Sequence, residues 1–273
     1  MMPRTLRLSD GAQVRLLEAG EGEPLVLLHG VGLRAEAWGP QIAALSRSHR
    51  VVAADLPGHG ASDPLPGKPD LAEFVGWATR VIEALSLGPV SLAGHSMGAL
   101  VAAGVTVERP DLVRRLAILN GVYRRSSQAR SAVQARAEEI ARGSHDVTAP
   151  LARWFDDRPA DRDARGLVEA WLRDVDPAGY ATAYRAFAGG DGTYADRWSR
   201  IGCPVLVLTG EGDPNSTAAM ALAMSAQAPR ARAVVVEGHR HMVSLTAPEA
   251  VTTALTDWLA TDVQPARAEA NAR

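Results

Sequence analysis

Val90-Ser91-Leu92-Ala93-Gly94-His95-Ser96-Met97-Gly98-Ala99 is the stretch on which the reading of this chain turns. Val90–Ala93 is a short apolar run of the kind that forms a parallel strand buried on both faces. Residues from 98 to 108 have helical character, so Ser96 falls between a strand and a helix. A serine there sits on a tight, strained turn that projects its hydroxyl from the sheet edge. Glycines two before and two after it remove Cβ atoms that would clash in so sharp a turn. The helix N-terminus behind it favours developing negative charge. The strand–turn–helix setting is what gives the Gly-x-Ser-x-Gly pattern meaning and makes Ser96 a candidate nucleophile.

Outward from this turn, short β-rich runs alternate with helical patterns, which predicts an α/β chain with a largely parallel sheet. Leu6–Leu8 and Gln13–Glu18 flank Asp10-Gly11, a hairpin turn. Pro24–His29, Val51–Asp55 and Val90–Ala93 read as buried strands. Leu116–Leu119, Val205–Thr209 and Ala233–Glu237 add three more. Leu71–Leu85 and Pro248–Ala260 read as helices, the second with proline near its start. Between residues 121 and 198 the rhythm fails. That segment is charged and mostly helical, clearest at Gln128–Arg142, and holds nine of the thirteen aromatic residues. A helical insertion rich in aromatics predicts a cap over a pocket, with some rings facing a ligand. The expected organisation is a core of residues 1–120 and 199–262, a cap of 121–198 and a flexible tail of 263–273.

The chain has 273 residues, with 47% hydrophobic and 22% charged, enough to bury a core without staples. Its net charge of −2 argues against a nucleic-acid surface. Cys203 is the single cysteine, so no internal disulfide forms, and a buried structural thiol is expected. Lys68 is the only lysine. No signal peptide or membrane-spanning run is recognisable, so a cytoplasmic protein is expected, with a homodimer left open. No motif points to a metal or an organic cofactor.

A serine hydroxyl needs a base to take its proton. His29, His59 and His95 lie in loop motifs or the elbow, while His49 and His145 stand in polar contexts. His239 and His241 follow the strand Ala233–Glu237, where a loop can carry either ring toward Ser96. The base needs a carboxylate to hold its tautomer. Asp213, in Thr209-Gly210-Glu211-Gly212-Asp213-Pro214 past the strand Val205–Thr209, is the candidate, with Glu211 as competitor. The other strand end able to carry that acid, after Leu119, holds Asn120. A tetrahedral oxyanion would be met by backbone donors. His29-Gly30-Val31-Gly32 follows a strand, so the Val31 and Met97 amides are the candidates for an oxyanion hole.

With these pieces in place the chain resembles the α/β-hydrolase superfamily over nearly its full length. Asp55-Leu56-Pro57-Gly58-His59-Gly60-Ala61-Ser62 is similar to that family's D-x-P-G-x-G-x-S loop, which shapes the core and is not catalytic. His241-Met242-Val243-Ser244-Leu245-Thr246-Ala247-Pro248 fits the family's histidine register and His239 does not, although His239-Arg240 stands where small residues are usual. The resemblance implies a mostly parallel, eight-stranded twisted sheet with a helical cap after the sixth strand, and a catalytic set of Ser96, Asp213 and His241. Arg153-Trp154-Phe155 and Asp176-Pro177-Ala178-Gly179-Tyr180 are similar to segments of 3-oxoadipate enol-lactonases, and small carboxylesterases are the other near likeness. They imply a small ester or lactone substrate, with a carboxylate that Arg153 could bind. Trp154, Tyr123 and Tyr180 join Arg153 as candidate substrate contacts. Relatives that act on haloalkanes or epoxides use aspartate as nucleophile, so serine at position 96 excludes those reactions.

The expected reaction is attack by Ser96 while His241 takes its proton, an acyl-enzyme, and release by water. Three rivals use the same residues: a carbon–carbon bond hydrolase or lyase, a cofactor-free perhydrolase, and a small-molecule receptor with a vestigial triad.

Overall fold

The apolar runs of the sequence become the strands of one eight-stranded sheet in the computed structural model, which describes residues 1–263. The strands are β1 (Met2–Arg7), β2 (Gln13–Ala19), β3 (Glu23–Leu28), β4 (His49–Ala54), β5 (Val90–His95), β6 (Val113–Leu119), β7 (Val205–Gly210) and β8 (Ala231–Val236). Their order is β1-β2-β4-β3-β5-β6-β7-β8. The first hairpin is antiparallel and β2 joins β4 antiparallel; every other pairing is parallel. Strands β5 and β7 are buried at every position, as expected where helices cover both faces.

Three strands begin earlier than their apolar residues suggest. Strand β6 opens with Val113, Arg114 and Arg115, because Glu23 on β3 pairs with both arginines there. Strand β4 starts at His49, which lies opposite Glu23, so the polar context of this histidine is a strand end after all. Strand β8 is an edge, so Ala231 and Arg232 join its ladder without needing to be apolar on both faces.

The helices are α1 (Gly39–Leu45), α2 (Leu71–Leu85), α3 (Met97–Glu108), α4 (Ser127–Ala141), α5 (Thr148–Trp154), α6 (Arg162–Asp174), α7 (Pro177–Gly190), α8 (Ala218–Gln227), α9 (Val243–Thr246) and α10 (Pro248–Leu259). Asp70 and Glu73 close a capping box on α2, which fixes its start where the apolar period begins. Helices α1, α9 and α10 pack on one face of the sheet around Trp38, Ile42, Val251 and Trp258. Helices α2, α3 and α8 cover the other around Phe74, Val101 and Met224. Helices α4 to α7 lie between β6 and β7 in sequence, and α7 reaches back onto α2 and α3.

Cys203 is half-buried rather than fully buried, and burial pushes its thiol up to about 11. No helix among the described residues is long and apolar enough to cross a membrane. Apart from Val263, the tail expected to be flexible lies outside the described residues.

Candidate active site

Strand β5 ends at His95, and Ser96 takes φ 54° and ψ −113° before α3 begins. A left-handed φ on a residue with a Cβ is strained, and the surroundings enforce it. A Cβ on Gly94 would lie 2.1 Å from the Gly98 carbonyl oxygen, and one on Gly98 would lie 2.3 Å from that of Leu28. Only glycines allow the strand, the turn and β3 to approach so closely. The Val31 amide, past the end of β3, and the Met97 amide, in the first turn of α3, have no hydrogen-bond partner among the described residues.

The loop after β3 is wired from below by the Asp55–Ser62 segment. His59 Nε2 accepts the Gly32 amide at 2.9 Å, His29 Nε2 accepts that of Leu56 at 2.9 Å, and Asp55 Oδ1 accepts that of Ala35 at 2.7 Å. Burial holds His29 down to about 4 and His59 to about 3, so both act as neutral hydrogen-bonding groups.

Past β7, Asp213 is buried, and its Oδ2 accepts the His241 Nδ1–H at 2.7 Å. Burial alone would raise this carboxyl, but the His241 charge and hydrogen bond outweigh it, helped by Asn120 and the Asn215 amide. The net result is a carboxyl held below its ordinary range. Asn120 was read in the sequence only as a place where an acid is missing. In the structure its amide donates to Asp213 Oδ2 at 2.8 Å. Glu211, the competitor, accepts from the Gly238 amide instead. His239 does not reach Asp213: its Nδ1 meets Arg158 and Thr246, each at 2.9 Å. The two histidines left open by the β8 loop are thereby separated.

His95 Nε2–H donates to the His241 carbonyl at 2.9 Å, tying the elbow to the histidine loop. Trp154 stacks on the other ring, 5.5 Å from His241 with planes 29° apart. Arg240 holds this arrangement from the α5 side, bonding Asp156 at 2.6 Å and the Ala152 carbonyl at 3.1 Å. The His239-Arg240 pair, unusual in the sequence, thus fastens the segment around Trp154 over the histidine.

Ser96 and His241 open on one pocket, with a cavity volume of about 120 Å³. The Ser96 hydroxyl makes no hydrogen bond among the described residues, to His241 included; the hydrogen bond of the His241 ring is to Asp213. Val31, Arg153, Trp154 and Tyr180 line the same pocket. Tyr123 does not. It lines a separate small cavity with Trp198, its hydroxyl donating to the Ala195 carbonyl at 3.3 Å. Next to it, Arg124 takes a left-handed φ of 47° and is exposed. Arg125, which the sequence reading passed over, stands in the pocket wall. Tyr184 and Phe187 stand there too, and among the described residues no acidic side chain lines the pocket.

A family model described as the alpha/beta hydrolase family matches residues 25–254. The chain belongs to the alpha/beta hydrolase family. Within it, the chain is 53% identical over 261 residues to an (E)-2-((N-methylformamido)methylene)succinate hydrolase of Acinetobacter baylyi, covering 96% of this chain and 99% of that one. It is 30% identical over 200 residues to 3-oxoadipate enol-lactonase 1 of the same organism, covering 71% and 72%. Among solved structures, a thermophilic esterase from Thermogutta terrifontis, malate bound, superposes with a TM-score of 0.85 at 25% identity, covering 95% and 98%. The sequence-based expectation of an α/β-hydrolase fold with a mostly parallel eight-stranded sheet is met. Among the described residues no group of three or more His, Cys, Asp or Glu side chains is placed to hold a metal.

Proposed function

We propose that this alpha/beta hydrolase cleaves the acyl–nitrogen bond of a small N-acyl enamine carrying carboxylates, of the (N-methylformamido)methylenesuccinate type. The observation that carries this reading is the 53% identity to a methylenesuccinate hydrolase over almost the whole of both chains. The pocket is consistent with it: among the described residues Ser96 and His241 share it with Arg153 and with no acid.

In this reading His241 Nε2 takes the Ser96 proton as Oγ attacks the acyl carbon. The Val31 and Met97 amides receive the oxyanion, each donor being worth about 10²–10³ in rate. Asp213 holds the Nδ1–H tautomer and stabilises the imidazolium. Collapse breaks the carbon–nitrogen bond, and His241 returns its proton to the departing nitrogen. That nitrogen is conjugated through the C=C bond to a carboxylate, which makes the enamine a far better leaving group than an ordinary amine. Water then attacks the acyl-enzyme with His241 as base, releasing the acyl group as a carboxylic acid (formate from a formamide) and restoring Ser96. The enamine can take a proton on carbon and hydrolyse in solution to amine and aldehyde.

A second reading, ester or enol-lactone hydrolysis, draws support from the 30% identity to an enol-lactonase. Its leaving enolate is stabilised by the same kind of conjugation. The two are separated by following formate and lactone opening by proton NMR with both substrates. Formate release at the higher kcat/KM, lost on the order of 10⁶-fold in Ser96→Ala, supports the amide reading. Faster lactone opening favours the second. Turnover that survives Ser96→Ala would sink both.

A further inference from the structure

Arg125, just before α4, is buried, with its side chain only 4% exposed. Asp191 holds it from one side: Oδ2 accepts the Arg125 backbone amide at 2.6 Å and Oδ1 accepts Nη1 at 3.1 Å. The Phe187 ring lies 4.4 Å from the guanidinium carbon, fixing its plane. Nη2, on the same fork, is buried and has no hydrogen-bond partner among the described residues. A buried donor left unpaired costs roughly 1–3 kcal/mol, and more when charged. A guanidinium needed only to hold Asp191 has no reason to carry that cost in the wall of the Ser96 pocket.

The surrounding charge points the same way. Asp191 is shared with Arg130, whose Nη2 lies 3.4 Å from it, so one carboxylate faces two guanidinium groups. Arg153, in the same pocket, makes no ion pair among the described residues, and Arg136 adds to the positive field around it. A planar fork with a free N–H edge is the group best matched to a carboxylate.

Resting on the reading of this pocket as the acyl site, we propose that Arg125 binds a second substrate carboxylate. With Arg153 taking the first, the site selects short compounds bearing two carboxylates over those bearing one. Asp191 and Phe187 are the positioning residues that aim the guanidinium.

The test is calorimetric binding to the Ser96→Ala protein of succinate and of succinamate, in which one carboxylate becomes a neutral amide of the same length. Succinate should bind about tenfold or more tightly than succinamate, the range expected for one charge-assisted hydrogen-bonded pair. Arg125→Gln in that background should bring the ratio to within about threefold, and Arg125→Lys, which keeps the charge opposite Asp191, to an intermediate value. A purely structural Arg125 would weaken both ligands together and leave the ratio intact, which overturns the proposal. So does the absence of any preference in the Ser96→Ala protein itself, a result that needs no folded Arg125 variant. Binding here requires no turnover, so failure of the hydrolase reading, seen as an inert parent enzyme, is a separate outcome.

Discussion

The Asp213 carboxylate carries three kinds of support: the His241 ring, the Asn120 amide and the Asn215 backbone. Asn120 is itself fixed, because Thr209 Oγ1 donates to the Ser216 carbonyl and so receives the Asn120 N–H. Removing Asn120 therefore frees one lone pair of Asp213 and loosens its aim at Nδ1. Asn120→Ala is expected to lower kcat by roughly 10- to 100-fold, the equivalent of losing one hydrogen bond to a charged group, about 1.5–3 kcal/mol. Steady-state kinetics beside a thermal melt check this; an unchanged kcat would show that His241 needs only Asp213. Ser96, Asp213 and His241 stand out in the sequence as candidates because each is a polar residue past the end of an apolar strand. Asn120 stands at such an end too, but an amide there reads as an acid that is missing. Arg125 was invisible for another reason. In Arg124-Arg125 it looks like any solvated pair, and the carboxylate that holds one of them inside, Asp191, lies 66 residues further along the chain.

Elements meet here through backbone contacts that the sequence marks only as glycines. Gly58 lies in the Asp55–Ser62 loop and Gly179 opens α7, in one of the segments that resembles the enol-lactonases. A Cβ on Gly179 would stand 2.1 Å from the Gly58 carbonyl oxygen, closer than any rotamer change can relieve. Gly179→Ala must therefore lift the start of α7, which carries Tyr180 into the pocket. The expected result is a KM raised several-fold or more with a core that melts within a few degrees of the parent, since the sheet is untouched. Limited proteolysis should show faster cutting between residues 121 and 198. A variant with parent KM and parent cleavage would mean that α7 is not seated on this loop. Helix α2 was readable to the residue because a capping box and an apolar period coincide there. The early starts of β4, β6 and β8 were not, because charge pairing to Glu23 and the one-sided pairing of an edge strand permit polar residues within a ladder.

At the scale of the whole molecule, three buried imidazoles join the loops that meet at the site. His29 and His59 tie the β3 loop to the Asp55–Ser62 segment, and His95 ties the elbow to the His241 loop. Burial, aided by neighbouring histidines for His59 and His95, lowers them to about 4, 3 and 3. Each is thus neutral when folded, yet takes up a proton near pH 6.5 when unfolded. Acid therefore favours unfolding: the stability these groups lend is complete above about pH 6.5 and drains away as pH falls toward 4. Carboxyls held low, such as Asp213 and Glu23, add to the loss only at lower pH, so the interval from pH 6 to 5 belongs chiefly to the histidines. There each should cost on the order of 1 kcal/mol per pH unit, so that urea midpoints fall steeply between pH 6 and 5. His59→Gln keeps an acceptor for the Gly32 amide but cannot protonate, and should reduce that slope by about one proton's worth. Urea melts of both proteins at pH 7, 6 and 5 decide the matter. A midpoint flat across that range would mean that these rings are charged or solvated in the folded protein, and that the loops are held by something other than neutral imidazoles.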